Sequence, residues 1–193
     1  GGAGWDAIDG GAGRDRVTYF DSTSGVFLNL SAVYREFDGV GVTALASTDG
    51  NAAMDVIAAG GDGRSNVEDA TGSLHADVLV AFEGGSRLEG LAGNDRLVGL
   101  DGTDTLNGGA GADNIDGGAG GDDTATYEND TARAGGVGAV ISLTSGTGTD
   151  GSGSTDTLTG IENLIGSAHD DTLTGHAGVN RLTGGDGRHM PNG

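Results

Sequence analysis

Aspartate recurs every nine residues through the middle of this chain, at Asp95, Asp104, Asp113 and Asp122. Glycines precede each of them, and an aliphatic residue usually follows two positions later. Carboxylates, together with the backbone carbonyls that glycine-rich loops expose, are the oxygen ligands that Ca²⁺ prefers. The spacing therefore favours repeated cation binding over acid–base catalysis by a carboxylate pair.

The charge of the chain supports the same interpretation. Its 193 residues carry a formal net charge of −20, with 29 acidic and nine basic side chains, and every basic residue is arginine. Such a polyanion repels nucleic acid and anionic membranes and attracts cations. The absence of cysteine excludes disulfides and thiolate metal sites. No apolar run is long enough for a membrane helix, and no signal peptide is visible at the start.

The regular spacing belongs to a nonapeptide frame, G-G-x-G-x-D-x-U-x, in which U is a large aliphatic residue. The two opening copies read GGAGWDAID and GGAGRDRVT, and a longer pair of segments, VEDATGSLHADVL and IENLIGSAHDDTL, repeats at an offset of 94 residues. The chain starts and stops inside nonapeptide runs, from which we infer a fragment of a longer repetitive protein. The copies begin at residues 1, 10, 72, 81, 90, 99, 108, 117, 166 and 175, and the pattern fades from residue 184.

The frame predicts strands and turns, because glycine is too dense for helices. Each copy divides into a six-residue loop and a three-residue strand whose central residue points inward. Glycine, 42 residues in all, lets the loops adopt positive φ and approach each other closely. The inward residues we expect are Ile8, Val17, Leu79, Leu88, Leu97, Leu106 and Ile115.

One buried aliphatic side chain does not offset the entropy of ordering nine residues, so the hydrophobic term alone cannot hold such a coil. Stacking the coils also brings acidic loops together. A further stabilising term is needed, and Ca²⁺ supplies it because it binds carboxylates and carbonyls together.

On these motifs the chain resembles the RTX (haemolysin-type) calcium-binding nonapeptide family of Gram-negative secreted proteins. The resemblance implies an all-β fold, a right-handed parallel β-roll with β-rich linker segments, in which each calcium ion lies between loops two repeats apart. It implies Asp77, Asp95 and Asp113 along one edge, Asp104 and Asp122 along the other, and Asp6, Asp15 and Asp171 at the matching position near the ends. The loop glycines it implies as carbonyl ligands are Gly90, Gly93, Gly99, Gly102, Gly108, Gly109, Gly111, Gly117, Gly118 and Gly120.

Several copies depart from the frame. Ser86, Asn180 and His189 stand where aspartate is expected, so we expect a weak or absent ion site at Ser86. Thr124 replaces the aliphatic residue, and an extra residue precedes Tyr127, which indicates the end of the central roll.

The copies divide the chain into five segments. Two are linkers with alternating apolar residues, which we expect to form strands that extend or cap the roll, as in block-built RTX toxins such as adenylate cyclase toxin and in large RTX adhesins. The Gly/Ser/Thr stretch 145–155 is expected to be a loop. The segments are 1–18, the end of a nonapeptide run; 19–71, a linker or cap; 72–125, the central roll; 126–165, a second linker; and 166–193, a further run that degenerates.

Two recurring pairs have alternative interpretations. Glu68 and Glu162 are either additional ligands or, as we prefer, polar residues at strand ends. His75 and His169 could bind zinc or act in catalysis, but no second histidine stands at a metal-ligand spacing, and ordinary loop residues are the preferred interpretation.

The sequence contains no nucleophile–base set and no phosphate-binding loop, so we expect no enzyme activity in this chain. The resemblance implies a calcium-binding scaffold block of a toxin or adhesin, exported through a type I secretion system, folding in extracellular calcium and contacting neighbouring RTX blocks. The alternatives are an accessory module of a secreted lipase, protease or alginate epimerase, or a carbohydrate-binding module with Trp5, Tyr19 and Tyr34 as its aromatic surface.

Overall fold

The computed structural model describes residues 7–31, 35–37, 40–42, 46–48, 54–57, 67–131, 135–188 and 190–192. Asp6, Trp5, Tyr34 and His189 therefore lie outside the described residues. The strands are β1 (Ala7–Ile8), β2 (Arg16–Thr18), β3 (Phe27–Asn29), β4 (Arg35–Phe37), β5 (Val40–Val42), β6 (Ala46–Thr48), β7 (Met54–Ile57), β8 (Asp69–Thr71), β9 (Val78–Val80), β10 (Arg87–Glu89), β11 (Arg96–Val98), β12 (Thr105–Asn107), β13 (Asn114–Asp116), β14 (Thr124–Thr126), β15 (Val137–Ser142), β16 (Thr147–Thr149), β17 (Thr155–Thr159), β18 (Asn163–Ile165), β19 (Asp170–Thr174), β20 (Arg181–Thr183) and β21 (Met190–Asn192).

The protein is an all-β parallel β-roll. Successive strands β9 to β14 alternate between a 12-stranded sheet and a 7-stranded sheet, so two nonapeptides complete one turn. The large sheet has the order β1-β7-β6-β3-β9-β11-β13-β17-β16-β15-β19-β21, and the smaller sheet has the order β2-β8-β10-β12-β14-β18-β20. Among the described residues there is no helix, and hence none that could cross a membrane.

The register of the roll repeats every 18 residues. Leu88 of β10 lies opposite Leu106 of β12, and Leu97 of β11 lies opposite both Leu79 and Ile115. Parallel pairing at this offset keeps identical positions of the frame in one row, which is why a strict nine-residue repeat can stack indefinitely.

The row of inward side chains forms the hydrophobic core. Leu79, Leu88, Leu97, Leu106 and Ile115 are all at most 1% exposed and belong to one cluster that draws on both sheets. The predicted inward positions are thus confirmed for the central run and for Val17, whereas Ile8 is only partly buried. The core is one aliphatic residue deep, so the loops must contribute to holding the coils together.

The linkers continue the roll. Strand β3 pairs in parallel with β9, β15 pairs in parallel with β19, and the linker strands β8 and β18 enter the smaller sheet. The expectation of a loop over residues 145–155 is wrong for Thr147–Thr149, because this segment forms β16, which pairs antiparallel with β15 and β17, while residues 150–154 are the turn between β16 and β17. Gly148 of β16 lies directly over Ile141, where a Cβ would overlap that side chain, so glycine here permits close strand packing.

Candidate metal-binding loops

The aspartates at position six of the frame lie at the junction of loop and strand, two residues before the inward-pointing residue. Parallel stacking therefore brings those of every second copy into a column. The first column contains Asp77, Asp95 and Asp113, as predicted for one edge, and Asp156 extends it. All four are at most 2% exposed. The strict spacing thus gathers buried carboxylates along one side of the roll.

Each carboxylate of the first column uses one oxygen to receive a backbone hydrogen bond from the preceding coil. The Asp77 N–H donates to Asp95 Oδ1 at 2.8 Å, the Asp95 N–H donates to Asp113 Oδ1 at 2.8 Å, and the Asp113 N–H donates to Asp156 Oδ1 at 3.0 Å. The Oδ1 atoms of these aspartates therefore link each coil to the next. Their Oδ2 atoms take no part in these bonds and can interact with another group.

A second column runs along the other edge. The Ser86 N–H donates to Asp104 Oδ1 at 2.6 Å, and the Asp104 N–H donates to Asp123 Oδ1 at 2.8 Å. Glu162 ends this column by accepting the Asp123 N–H at 2.9 Å, and Glu68 accepts the Asp15 N–H in the same way. Both glutamates thus accept a backbone N–H from the coil stacked on them.

Counting by nine predicts Asp122 at position six of the last central copy. This prediction is wrong, because Asp123 occupies that position. Asp123 is 2% exposed, whereas Asp122 is exposed. The cause is a one-residue insertion in the loop, where Gly121 adopts φ +59° and Ala125 takes the inward place opposite Leu106. A left-handed glycine absorbs the extra residue without breaking the strand register.

The Oδ2 atoms of Asp15, Asp95, Asp104 and Asp113 are buried and have no hydrogen-bond partner among the described residues. A carboxylate oxygen buried in this way is costly unless a cation or a proton balances it. Burial raises the pKa of Asp95 to about 8, reinforced by the neighbouring carboxylates of Asp113 and Asp77. Burial likewise raises the pKa of Asp104 to about 7 and that of Asp113 to about 6.

Glycine carbonyl oxygens stand beside two of these carboxylate oxygens, those of Asp95 and Asp104. A Cβ built on Gly90 would lie closer than 3.0 Å to both Asp95 Oδ2 and the Gly108 carbonyl oxygen. At Gly99, the corresponding atoms are Asp104 Oδ2 and the Gly117 carbonyl oxygen. A carboxylate oxygen of one loop and a carbonyl oxygen of the loop stacked on it thus crowd the same glycine, which explains the glycine at position one of these two loops. Oxygens of these two kinds are the ligands that Ca²⁺ prefers.

Carboxylates alone do not complete such a site. Among the described residues no three acidic or histidine side chains converge closely enough to bind one ion. Ca²⁺ takes six to eight oxygens, so backbone carbonyls must supply most of them, which the loops are able to do. The bends of the loops come from positive φ at positions two and four, as at Gly109 (φ +90°) and Gly111 (φ +140°).

A family model described as "RTX calcium-binding nonapeptide repeat (4 copies)" matches residues 1–17, 89–123 and 156–188. These segments belong to the RTX calcium-binding nonapeptide repeat family. RTX repeats bind calcium and form a structural module rather than a catalytic one. No curated protein matches the chain.

Sequence reasoning missed Asp156, the second residue of β17, which accepts the Tyr127 O–H at 3.1 Å in addition to the Asp113 N–H. Its signal was present, because Asp156, Thr157 and Leu158 repeat the triplet at Asp104, but Ser152 and Ser154 stand where the frame has glycine at positions two and four. Burial, with a smaller contribution from Asp113, raises the pKa of Asp156 to about 7.

The carbohydrate-binding alternative loses part of its basis, because Tyr19 is 3% exposed and belongs to the hydrophobic core. Trp5 and Tyr34 lie outside the described residues. His75 is exposed at the surface, in keeping with an ordinary loop residue.

Proposed function

We propose that this chain is a calcium-dependent structural module of a larger secreted bacterial protein. One observation carries the proposal: Asp95, Asp104 and Asp113 bury an Oδ2 atom that has no hydrogen-bond partner among the described residues, and glycine carbonyl oxygens lie beside those of Asp95 and Asp104. A bound calcium ion would balance this charge and join two coils 18 residues apart.

The ion-binding residues in this proposal are Asp15, Asp95, Asp104 and Asp113, with carbonyl oxygens from loop glycines such as Gly108 and Gly117. The Oδ1 atoms of Asp95, Asp104 and Asp113 already bridge coils through backbone hydrogen bonds, so the ion adds a second link at each of these steps. Because metal is bound only by stacked loops, its binding free energy becomes folding free energy.

The dependence on calcium suits export. RTX repeats are typical of secreted Gram-negative proteins. At low intracellular calcium the carboxylates repel one another and the chain stays unfolded for a type I secretion system. Outside the cell, where extracellular calcium modules bind at about 10⁻⁴–10⁻³ M, it folds. The module would then serve at the cell surface or beyond it, beside neighbouring RTX blocks.

In this proposal, the segments predicted from the sequence have different roles. The runs 1–18, 72–125 and 166–193 would respond to calcium, and the linkers 19–71 and 126–165 would join them. We favour a scaffold in a toxin or adhesin, and the accessory-module alternative remains the competing proposal. The flanking sequence separates them, since a long repetitive array supports the scaffold and a catalytic domain supports the enzyme.

Circular dichroism tests the calcium dependence directly. In chelator at pH 8 we expect the spectrum of an unfolded chain, and on titration to millimolar calcium a cooperative gain of β signal. Magnesium at the same concentration is the control, because Mg²⁺ demands a smaller octahedral site and keeps its waters. Equal β content in chelator and in calcium would overturn the proposal.

A further inference from the structure

The nonapeptide loops fall into two backbone classes. In the loops at residues 90–95, 99–104 and 108–113, positions two and four both adopt positive φ, even where position two is leucine. Leu91 and Leu100 are the non-glycine residues with positive φ in the described part of the chain. In the loops at residues 72–77 and 166–171, serine and histidine occupy these positions and neither has positive φ.

The second class satisfies its own aspartate. The Ser73 N–H donates to Asp77 Oδ2 at 2.6 Å, and the Ser73 hydroxyl donates to Asp77 Oδ1 at 2.9 Å. The Val26 N–H donates to the same Oδ1 at 2.6 Å. Both oxygens of Asp77 therefore have donors, in contrast to Asp95, whose Oδ2 has none within the part of the chain that the structure describes. We refer to loops 72–77 and 166–171 as the serine-closed loops.

The same solution recurs 94 residues later. The Ser167 N–H donates to Asp171 Oδ2 at 2.8 Å, and the Ser167 hydroxyl donates to Asp171 Oδ1 at 2.8 Å. The Ala139 N–H completes the set at 2.7 Å, taking the place of the Val26 N–H. Two independent copies with identical donors show that the pattern belongs to the motif G-S-x-H-x-D and not to one local accident.

The position of the carboxylate is the same in both classes. A Cβ on Gly72 would overlap Asp77 Oδ2, just as a Cβ on Gly90 would overlap Asp95 Oδ2. What differs is the group that faces this oxygen, which is a serine N–H in one loop and no described donor in the other.

Another copy is closed by an amide. Asn180 stands at position six, and its Nδ2 donates to the carbonyls of His176 at 2.8 Å and Gly178 at 2.7 Å, while its Oδ1 accepts the His176 N–H at 3.1 Å. The loop carbonyls that a cation would bind are here bound by N–H groups. His176 and Gly178 again lack positive φ.

We propose that the serine-closed loops bind no calcium and fold without it, so that the runs starting at Gly72 and Gly166 each begin on a coil that the ion does not hold. This inference rests on the proposed function, because it presupposes calcium in the other loops. It removes Asp77 and Asp171 from the ligands expected from the family pattern. The serine hydroxyl and N–H stabilise the buried carboxylate in place of the ion.

Equilibrium dialysis at saturating calcium tests the inference by counting bound ions. Asp95→Asn should bind fewer ions than the wild type, and Asp77→Asn should bind as many as the wild type. An equal decrease in both variants would overturn the inference and leave the proposed function intact. A wild-type protein that binds no calcium would instead overturn the proposed function.

Two further variants guard against misfolding of Asp77→Asn, with circular dichroism as the check on folding. Ser73→Ala keeps the carboxylate and should keep the ion count, so a lower count would make Ser73 part of a calcium site and overturn the inference. The double variant Ser73→Gly/His75→Gly restores glycine at positions two and four and should gain one ion. A folded double variant with an unchanged count would also contradict the inference.

Discussion

Two neighbouring loops of the same length, residues 72–77 and residues 90–95, solve one electrostatic problem in different ways. Both end in a buried aspartate, and the two are joined by the hydrogen bond from the Asp77 N–H to Asp95 Oδ1. Ser73 satisfies Asp77 within its own loop, whereas Asp95 keeps an unpaired Oδ2. The nine-residue frame thus determines where the carboxylate lies, and positions two and four determine what faces it.

The difference teaches that one repeat can serve two purposes. In the loops with left-handed residues at positions two and four, Asp95, Asp104 and Asp113 keep an Oδ2 atom that no described donor faces. A loop with serine at position two has a donor there and needs no ion. A roll made only of the first kind would depend on calcium at every coil, whereas this chain mixes the two.

The largest effect we expect is a response to pH in the absence of calcium, because several carboxylates of the first kind titrate together. Asp95, Asp104 and Asp113 have pKa values raised to about 8, 7 and 6, above the value near 3.9 that aspartate has in an unfolded chain. The folded state therefore binds protons more tightly, and its stability rises as pH falls from about 8 to about 4. In chelator, the β signal in circular dichroism should increase between pH 8 and pH 5.

A proton on Asp95 would act as the serine donors act on Asp77, which makes this response a test of the comparison. The double variant Asp95→Asn/Asp104→Asn is the control and should respond less to pH, because two of the three carboxylates are gone. A β signal in chelator that stays constant or rises toward pH 8 would contradict the expectation.

The second prediction concerns position four, which is glycine in the loops with positive φ and histidine in the serine-closed loops. Gly111 has φ +140°, and a Cβ there would overlap the Gly93 carbonyl oxygen. Gly111→Ala should therefore lower the free energy of unfolding in calcium by roughly 2–5 kcal/mol, combining backbone strain with overpacking. Urea denaturation at saturating calcium measures it.

His75 is the matched control, since it occupies position four of the serine-closed loop and its side chain is exposed. His75→Ala should change the free energy of unfolding by at most about 0.5 kcal/mol. If the two substitutions cost the same, position four does not distinguish the loops.

The third prediction is that the effect of Asp95→Asn on the free energy of unfolding changes sign with calcium concentration. Asp95→Asn removes a calcium ligand, so its loss of unfolding free energy relative to the wild type should grow by about 1.4 kcal/mol for each tenfold rise in calcium above the dissociation constant. At the lowest calcium that still supports folding, the sign should reverse, because the neutral amide removes a buried charge and can donate as Asn180 does.

Ser73→Ala should behave differently. It removes a buried donor from Asp77 and should cost about 1–3 kcal/mol at every calcium concentration, because no ion is involved. Urea midpoints across a calcium series decide between the two behaviours. A Ser73→Ala loss that grows with calcium in parallel with that of Asp95→Asn would remove the distinction between the loops.

The sequence was sufficient for the repeating part of the fold. The glycine loop, the aspartate and the aliphatic residue recur with one period, so the strands at Leu88, Leu97 and Leu106 and their burial follow from a single frame. Because the coils stack in parallel with one register, a prediction made for one copy holds for every copy of the run.

The parts that were missed depend on contacts between coils rather than on the frame. Asp123 replaces Asp122 because a left-handed Gly121 takes up an extra residue, which counting by nine does not detect. Strand β16 formed where glycine, serine and threonine suggested a loop, because β15 and β17 supply its hydrogen bonds. The N–H and hydroxyl of Ser73 likewise stabilise the fold only through tertiary structure, because their hydrogen bonds to Asp77 gain importance once stacking of the coils has buried that carboxylate.

The smallest effect we expect lies at position two, and it should have opposite signs in the two loops. Leu91 holds φ +83°, a conformation that costs about 1–2 kcal/mol for a residue with a Cβ, so Leu91→Gly should raise the free energy of unfolding by up to about 1 kcal/mol after the entropy of glycine is subtracted. Ser73 has no such strain, and Ser73→Gly deletes a buried donor, so that variant should be less stable than the wild type. Thermal unfolding at saturating calcium compares them, and a shift of the same sign in both would mean that position two has the same role in the two loops.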